Sequence, residues 1–314
     1  LEVKHCKPNH KALENQGKMA VDMHFHTNCS DSFTDVDKLM KLAQARRTGV
    51  AITDHNLIKS LQKIQGKEYT VPVIPGMEVS TSDGPHILVY FYDFKDLESF
   101  WTRNIRPQLN YCPWLALKHC TTENLLDLLE KENCVVSGAH PMGYLMSNKG
   151  VEVCINKKYL EPEMATRLDA YEVICSGMTR RSNQYAYEAA MKYGIGFTGG
   201  TDGHLMTEVG NVVTISSAKD IDGFLDSIKE HKVDICGLEK SVPRKVQMGS
   251  ASMVRFIQHA PSATAVQTIQ TAKSFRRAFR RRSHICPEKN HDIFVANFWN
   301  IPRDAYFSWE YSVQ

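Results

Sequence analysis

Met19-Ala-Val-Asp-Met-His24-Phe-His26 and Val50-Ala-Ile-Thr-Asp-His55 follow one plan: a short apolar run that stops at a potential metal ligand. The plan recurs in Val71-Pro-Val-Ile-Pro-Gly-Met-Glu78, Cys134-Val-Val-Ser-Gly-Ala-His140 and Ile195-Gly-Phe-Thr-Gly-Gly-Thr-Asp202-Gly-His204. Short apolar runs of this kind read as fully buried strands. A polar residue at the exit of strand after strand is how a parallel α/β body gathers an active site from distant parts of the chain. Asp31 and His86 complete a set of nine positions: six His, two Asp and one Glu.

Working outward, residues 20–25, 50–53, 71–79, 86–92, 134–138, 170–175, 195–199 and 211–215 read as strands. Helices are expected after Thr34, which with Asp37 makes a capping-box-like start, and over 57–65, 123–131, 183–192 and 220–230. Residues 96–117 are mixed, and 141–168 read as an irregular excursion with one helix. Strands alternating with helices at this rhythm imply parallel βα units and an α/β fold.

The 314 residues can bury a large core, and 42% hydrophobic with 23% charged residues is ordinary for a globular protein. No apolar run is long enough for a transmembrane helix. The opening residues show no signal-peptide pattern. Nine cysteines, an odd number with no CxxC, fit a reduced, cytoplasmic location. Charge is uneven. Residues 239–314 hold twelve Lys/Arg against five Asp/Glu, net +7, whereas residues 1–238 hold 26 against 30, net −4. That break sets the expected organisation: an N-terminal extension over 1–18, a body over 19–238, and a basic, aromatic-containing C-terminal extension over 239–314.

Imidazole nitrogen and carboxylate oxygen, with no thiolate in the set, suit Zn, Mn or Fe in the divalent state. Nine positions exceed the four ligands of one tetrahedral ion, so two or three divalent ions are expected, with Glu78 or Asp202 bridging. Such a site clamps phosphate oxygens and makes hydroxide available near neutral pH. That chemistry is metal-assisted hydrolysis, with phosphate esters the natural substrate. A lone His in an apolar run is more often an ordinary core or surface residue. His24-x-His26 on a strand places both imidazoles on one side, and ligand-type residues at five strand ends are hard to obtain by chance.

The sequence Val-Asp-Met-His24-x-His26-Thr-x-x-Ser-Asp31, then Ile-Thr-Asp-His55, Pro-Gly-Met-Glu78, His86, Ala-His140-Pro and Gly-Thr-Asp202-Gly-His204, resembles the PHP (polymerase and histidinol phosphatase) family over about residues 19–236. The resemblance implies a distorted (β/α)7 barrel with two or three divalent metals at the C-terminal strand ends. It places His24, His26, Glu78 and Asp202 on one ion, and Glu78, His86 and His140 on a second. Asp31, His55 and His204 would complete a third. Two departures stand out. Gly203 takes a position often Ala in relatives, which keeps both flanking ligands. Asp31 takes a position that is His in some relatives, adding negative charge at the third group.

Asp22 and Asp54 are candidate partners for ligand imidazoles, Asp54 also as an anchor of the barrel. Arg180 and Arg181 follow the strand ending at Cys175 and are candidate phosphate-binding residues. An Arg-rich segment, 276–282 with Phe275 and Phe279 interleaved, is a candidate contact for a nucleic-acid backbone, an anionic membrane surface or a partner, against a solvated end whose charges aid solubility. The leading expectation is a metal-dependent phosphoesterase acting on a small phosphorylated molecule, a phosphomonoester or nucleotide. A nuclease acting on oligonucleotide or nucleic-acid ends, using the Arg-rich segment, is the alternative within the same chemistry. A non-catalytic metal-binding scaffold is the alternative outside it. Oligomeric state leaves no mark in the sequence.

Overall fold

The computed structural model describes residues 2–144, 147–257, 259–261, 264–266, 268–272 and 276. Among these, ten strands form one sheet in the order β1-β10-β9-β2-β3-β4-β5-β6-β7-β8. They are β1 (Val3–Lys4), β2 (Met19–Phe25), β3 (Gly49–Ile52), β4 (Val73–Ser80), β5 (His86–Phe91), β6 (Cys134–Gly138), β7 (Ala170–Cys175), β8 (Gly196–Gly200), β9 (Val212–Ser216) and β10 (Asp234–Gly237). The helices are α1 (His10–Asn15), α2 (Val36–Arg46), α3 (Lys59–Ile64), α4 (Phe94–Phe100), α5 (Thr122–Leu129), α6 (Val151–Asn156), α7 (Glu163–Thr166), α8 (Arg180–Tyr193), α9 (Ile221–Lys229) and α10 (Val242–Ile257).

The run β2 to β8 curls into a distorted α/β barrel. It comes together where Gly203, just after β8, bridges Phe25 of β2: His26 N donates to Gly203 O at 2.9 Å, and Gly203 N donates to His24 O at 3.2 Å. This approach requires glycine. A Cβ at Gly203 would fall on the Phe25 ring, and one at Gly200 would fall on His24. β9 takes the other half of β2, pairing antiparallel with Met19, Ala20 and Val21.

β5 breaks the expected parallel rhythm, running antiparallel to both β4 and β6. Only residues 81–85 separate it from β4, too few for a parallel crossover. The reversal has a consequence for the site. Ser80, the last residue of β4, pairs with His86, the first of β5, so the His that opens an apolar run reaches the same barrel end as those that close one.

Helices pack outside through apolar faces. Leu125, Leu126 and Leu129 of α5 and Phe224, Leu225 and Ile228 of α9 are fully or almost fully buried, each contributing roughly 1.5–3 kcal/mol. α2 begins one residue later than its sequence start suggests, because Asp35 caps Lys38 N at 3.2 Å while the Thr34 hydroxyl turns inward to donate to His204 O. α8 begins at Arg180, earlier than the expected 183, with Thr179 capping Ser182 N. The unassigned stretch after residue 96 holds the end of α4, a π-helical turn over Trp101–Ile105 and a short 3₁₀ turn.

Beyond β10 the chain stays on the strand-end face of the barrel. Lys240 N donates to Ser176 O at 2.7 Å, and Lys245 Nζ donates to Met178 O at 2.7 Å. Arg255 Nη2 donates to the carbonyls of Asn28 and Ser30, and its guanidinium stands 4.9 Å from the Trp114 ring. Gln270 Nε2 donates to Thr81 O at 3.0 Å. Of the Arg-rich segment only Arg276 is among the described residues; the rest of 276–282 and the aromatic end of the chain lie outside them. Among the described residues no helix is long and apolar enough to cross a membrane.

Candidate metal centre

All nine positions picked out by the sequence meet at one end of the barrel, and each is at most 6% exposed. β2 supplies His24, with His26 one residue beyond its end. His55 follows β3, and Glu78 lies near the end of β4. His86 starts β5, His140 follows β6, and Asp202 and His204 follow β8. Asp31 comes from the loop after β2, where Ser30 Oγ donates to Asp31 Oδ1 at 3.2 Å and accepts from His55 N at 3.1 Å.

The donor atoms cluster in neighbouring sets that share His26, His55 and Glu78. His24 Nε2 lies 3.1 Å from His26 Nε2, and Glu78 Oε2 lies 3.3 and 3.2 Å from these two nitrogens. Asp202 Oδ1 is 3.6 and 3.2 Å from the same pair. The other Glu78 oxygen, Oε1, is 2.9 Å from His86 Nδ1 and 3.1 Å from His140 Nε2. Asp31 Oδ2 is 3.1 Å from His204 Nε2 and 3.7 Å from His55 Nε2. Glu78 Oε2 is also 3.0 Å from His55 Nδ1, so Glu78 faces His24, His26 and His55 with one oxygen and His86 and His140 with the other, while His26 stands between Glu78 and Asp31.

These residues fit divalent cations. Ligands about 2.1 Å from a tetrahedral ion lie about 3.4 Å apart, the spacing seen here. Two imidazole nitrogens facing each other at 3.1 Å need a cation or a proton between them. Glu78 Oε2, His26 Nδ1 and His140 Nδ1 are buried without a hydrogen-bond partner. Burying three carboxylates is costly unless positive charge is close by.

Electrostatics within the protein reflect the same demand. Burial alone would push the His24 and His26 imidazoles down, but facing carboxylates outweigh it. Glu172, Glu78 and Asp202 hold His24 well above its ordinary range, and Asp202, Glu78 and Asp31 raise His26 to about 10. For His55 and His86 burial wins over the pull of Glu78, lowering them to about 3 and about 4. Asp31, Glu78 and Asp202 oppose burial through the surrounding imidazoles and sit well below the usual carboxylate range.

The supporting shell differs from expectation. Asp22 accepts from Thr201 N, Thr201 Oγ1 and Gly210 N, and so ties the β8 loop to β2. Asp54 accepts from Thr27 N and Thr27 Oγ1 as well as from the Ser60 hydroxyl, anchoring the loop after β2. The carboxylate that meets a ligand imidazole is Glu172 of β7: Oε1 is 3.0 Å from His24 Nδ1, and Oε2 accepts from His140 N at 2.7 Å. A Glu inside the apolar run Ala170-Tyr-Glu-Val-Ile-Cys was the available signal for it. Tyr144, whose part-buried hydroxyl donates to Asp202 Oδ2, had no such signal. Arg180 and Arg181 occupy the first turn of α8 and are exposed. Arg180 makes a two-pronged pair with Glu239 at 2.7 Å, and Arg181 Nε donates to the Tyr185 hydroxyl.

The sequence profile of the family described as PHP-associated matches residues 180–233. No curated protein matches the chain by sequence. Among solved structures, Endonuclease Q in complex with a 27-mer duplex carrying an abasic lesion is similar with a TM-score of 0.55 at 12% identity, over 71% of this chain and 60% of that one. The lesion-specific endonuclease PfuEndoQ of Pyrococcus furiosus is similar with a TM-score of 0.53 at 14% identity, over 69% and 57%. PsfC of Pseudomonas syringae is similar with a TM-score of 0.51 at 18% identity, over 76% of this chain and 98% of that one. At these identities the likeness is one of fold.

Proposed function

We propose that this chain is a metal-dependent phosphoesterase of the PHP family that hydrolyses a small phosphorylated substrate, a phosphomonoester or nucleotide. One observation carries the reading: eight buried imidazole and carboxylate side chains meet with their donor atoms at ligand spacing, and a ninth, His140, stands 3.1 Å from Glu78 Oε1. The donor set, nitrogen and oxygen without sulfur, suits two or three ions of Mn, Zn or Fe. When bound, such ions polarise a phosphoryl oxygen and supply an activated water.

The chain's own groups have separate tasks in this scheme. Glu78, with an oxygen toward each of two imidazole sets, would join neighbouring ions into one centre. Glu172 holds the His24 ring by Nδ1, leaving Nε2 turned toward Glu78 and Asp202. Tyr144 holds the far oxygen of Asp202, leaving Oδ1 toward His24 and His26. Arg180 could take a substrate phosphate only by leaving Glu239, so most of the neutralisation falls to the ions.

A nuclease acting on oligonucleotide ends is the second reading. It is favoured by two exposed aromatic side chains beside the strand-end face: Phe33, two residues from Asp31, and Tyr111, near Trp114 and His259. Exposed aromatic rings offer stacking platforms to bases. One screen separates the two. Manganese-loaded protein should turn over phosphomonoesters or nucleotides faster than dinucleotides and oligonucleotides. The opposite ranking moves the assignment to a nuclease, and no hydrolysis of any of them removes the esterase.

A further inference from the structure

Lys240 is almost fully buried at the edge of the ligand cluster, although it lies in the basic segment beyond the barrel. Its Nζ donates to the backbone carbonyl of Asp202 at 2.9 Å, stands 3.2 Å from Glu208 Oε2, and points its remaining contact at Met248 Sδ, 3.0 Å away. Glu208 Oε2 in turn accepts from His204 N at 3.0 Å and from Leu205 N at 3.1 Å. The ion pair therefore grips both ends of Asp202-Gly203-His204. Lys240 reaches the carbonyl of the first residue, and Glu208 reaches the amide of the last.

That loop needs gripping. Asp202 has a φ of +46°, in the left-handed region that a side chain other than glycine's resists. Such a conformation persists where the surroundings over-determine it. Here it aims Asp202 Oδ1 at His24 and His26 while His204 Nε2 faces Asp31. Lys240 is itself pinned, because its backbone N–H donates to Ser176 O at the end of β7.

We propose that Lys240, with Glu208 as its counter-charge, is a positioning residue that holds Asp202 and His204 in ligating geometry. The proposal rests on the metal-centre reading. It makes the segment after β10 part of the centre rather than a separate appendage. Removing the ammonium frees the Asp202 carbonyl, lets the residue relax from its left-handed conformation and swings its carboxylate off the imidazole pair. Groups that orient ligands from outside are worth ten- to a hundredfold in metal affinity.

The test uses the full chain and Zn or Mn titrated against a competing chelator, with thermal melting of the metal-free protein read in parallel. Wild type is measured first, and it should take more than one equivalent. If it takes none, the metal-centre reading fails, and this proposal with it. Lys240→Met should then weaken one equivalent about ten- to a hundredfold, leave the tightest of the others in place, and be largely rescued by Lys240→Arg. Since Lys240→Met strands the Glu208 charge, Lys240→Met/Glu208→Gln removes the pair together and should show the same selective loss in a folded protein. Unchanged affinity for every equivalent in the double variant overturns the proposal, and so does a lowered metal-free melting temperature with unchanged metal binding.

Discussion

The two ends of the barrel spend their charges in opposite ways. At the C-terminal strand end, six imidazoles and three carboxylates are buried, each with a donor atom within 4 Å of at least one other, and Glu172, Asp22 and Asp54 are buried beneath them. At the other end charged side chains meet in water: Lys18 pairs with Asp234, Arg47 with Glu14, and Lys219 donates to Gly17 O, around a shallow cavity of about 380 Å³. The first arrangement would destabilise a fold that gained nothing from it, whereas the second is the ordinary finish of a barrel floor. Strand ends that carry costly polar groups mark function, and the opposite face carries stability.

The largest effect that tests this contrast is at the cluster. His24→Ala/His26→Ala should abolish hydrolysis of an aryl phosphate while far-UV circular dichroism and cooperative melting persist. Turnover at the wild-type rate would refute the assignment.

Next comes proton competition. The His24–His26 pair, whose Nε2 atoms stand 3.1 Å apart, retains a proton in the metal-free protein at neutral pH, because the facing carboxylates raise His26 to about 10 and His24 well above its ordinary range. A metal ion must displace it, so affinity at that set should rise with pH up to about 10 and fall on acidification. His86, lowered to about 4, and His55, lowered to about 3, are already neutral above pH 5, so ligation by these two should show the weaker dependence. Calorimetry in buffers of different ionisation enthalpy would report the protons released; the same pH slope for every equivalent would break this distinction.

A smaller effect belongs to Glu172→Gln, which keeps the volume and loses the charge behind His24. Metal affinity should fall about ten- to a hundredfold, measured by chelator competition. The smallest belongs to the opposite barrel end. Lys18→Ala should leave turnover unchanged and shift stability by less than about 1 kcal/mol in urea titration, as exposed ion pairs do. A loss of activity there would mean that the two ends are coupled.

Much of this was legible in the chain because strand and ligand were written together. An apolar run ending in His24, His55, Glu78, His140 or Asp202 gives both a buried strand and the end at which it emerges. The direction of β5 was harder. Its His86 precedes the run, and the five-residue link before it was the clue that it turns back. Residues 96–117 resisted because Phe94, Leu97 and Phe100 keep a helical spacing that the π turn from Trp101 then breaks. Glu172 and Lys240 were hidden for a different reason. Their partners lie 148 and 38 residues away, and no local pattern marks such contacts. The composition break after residue 238 separated Lys240 from the loop it touches, although the fold places the two side by side.

Elemental analysis of the reconstituted protein bears most directly on the central claim. More than one transition-metal equivalent per wild-type chain is expected, with loss of at least one in His24→Ala/His26→Ala. A folded wild-type protein that retains no metal after incubation with excess Mn, Zn and Fe would contradict it.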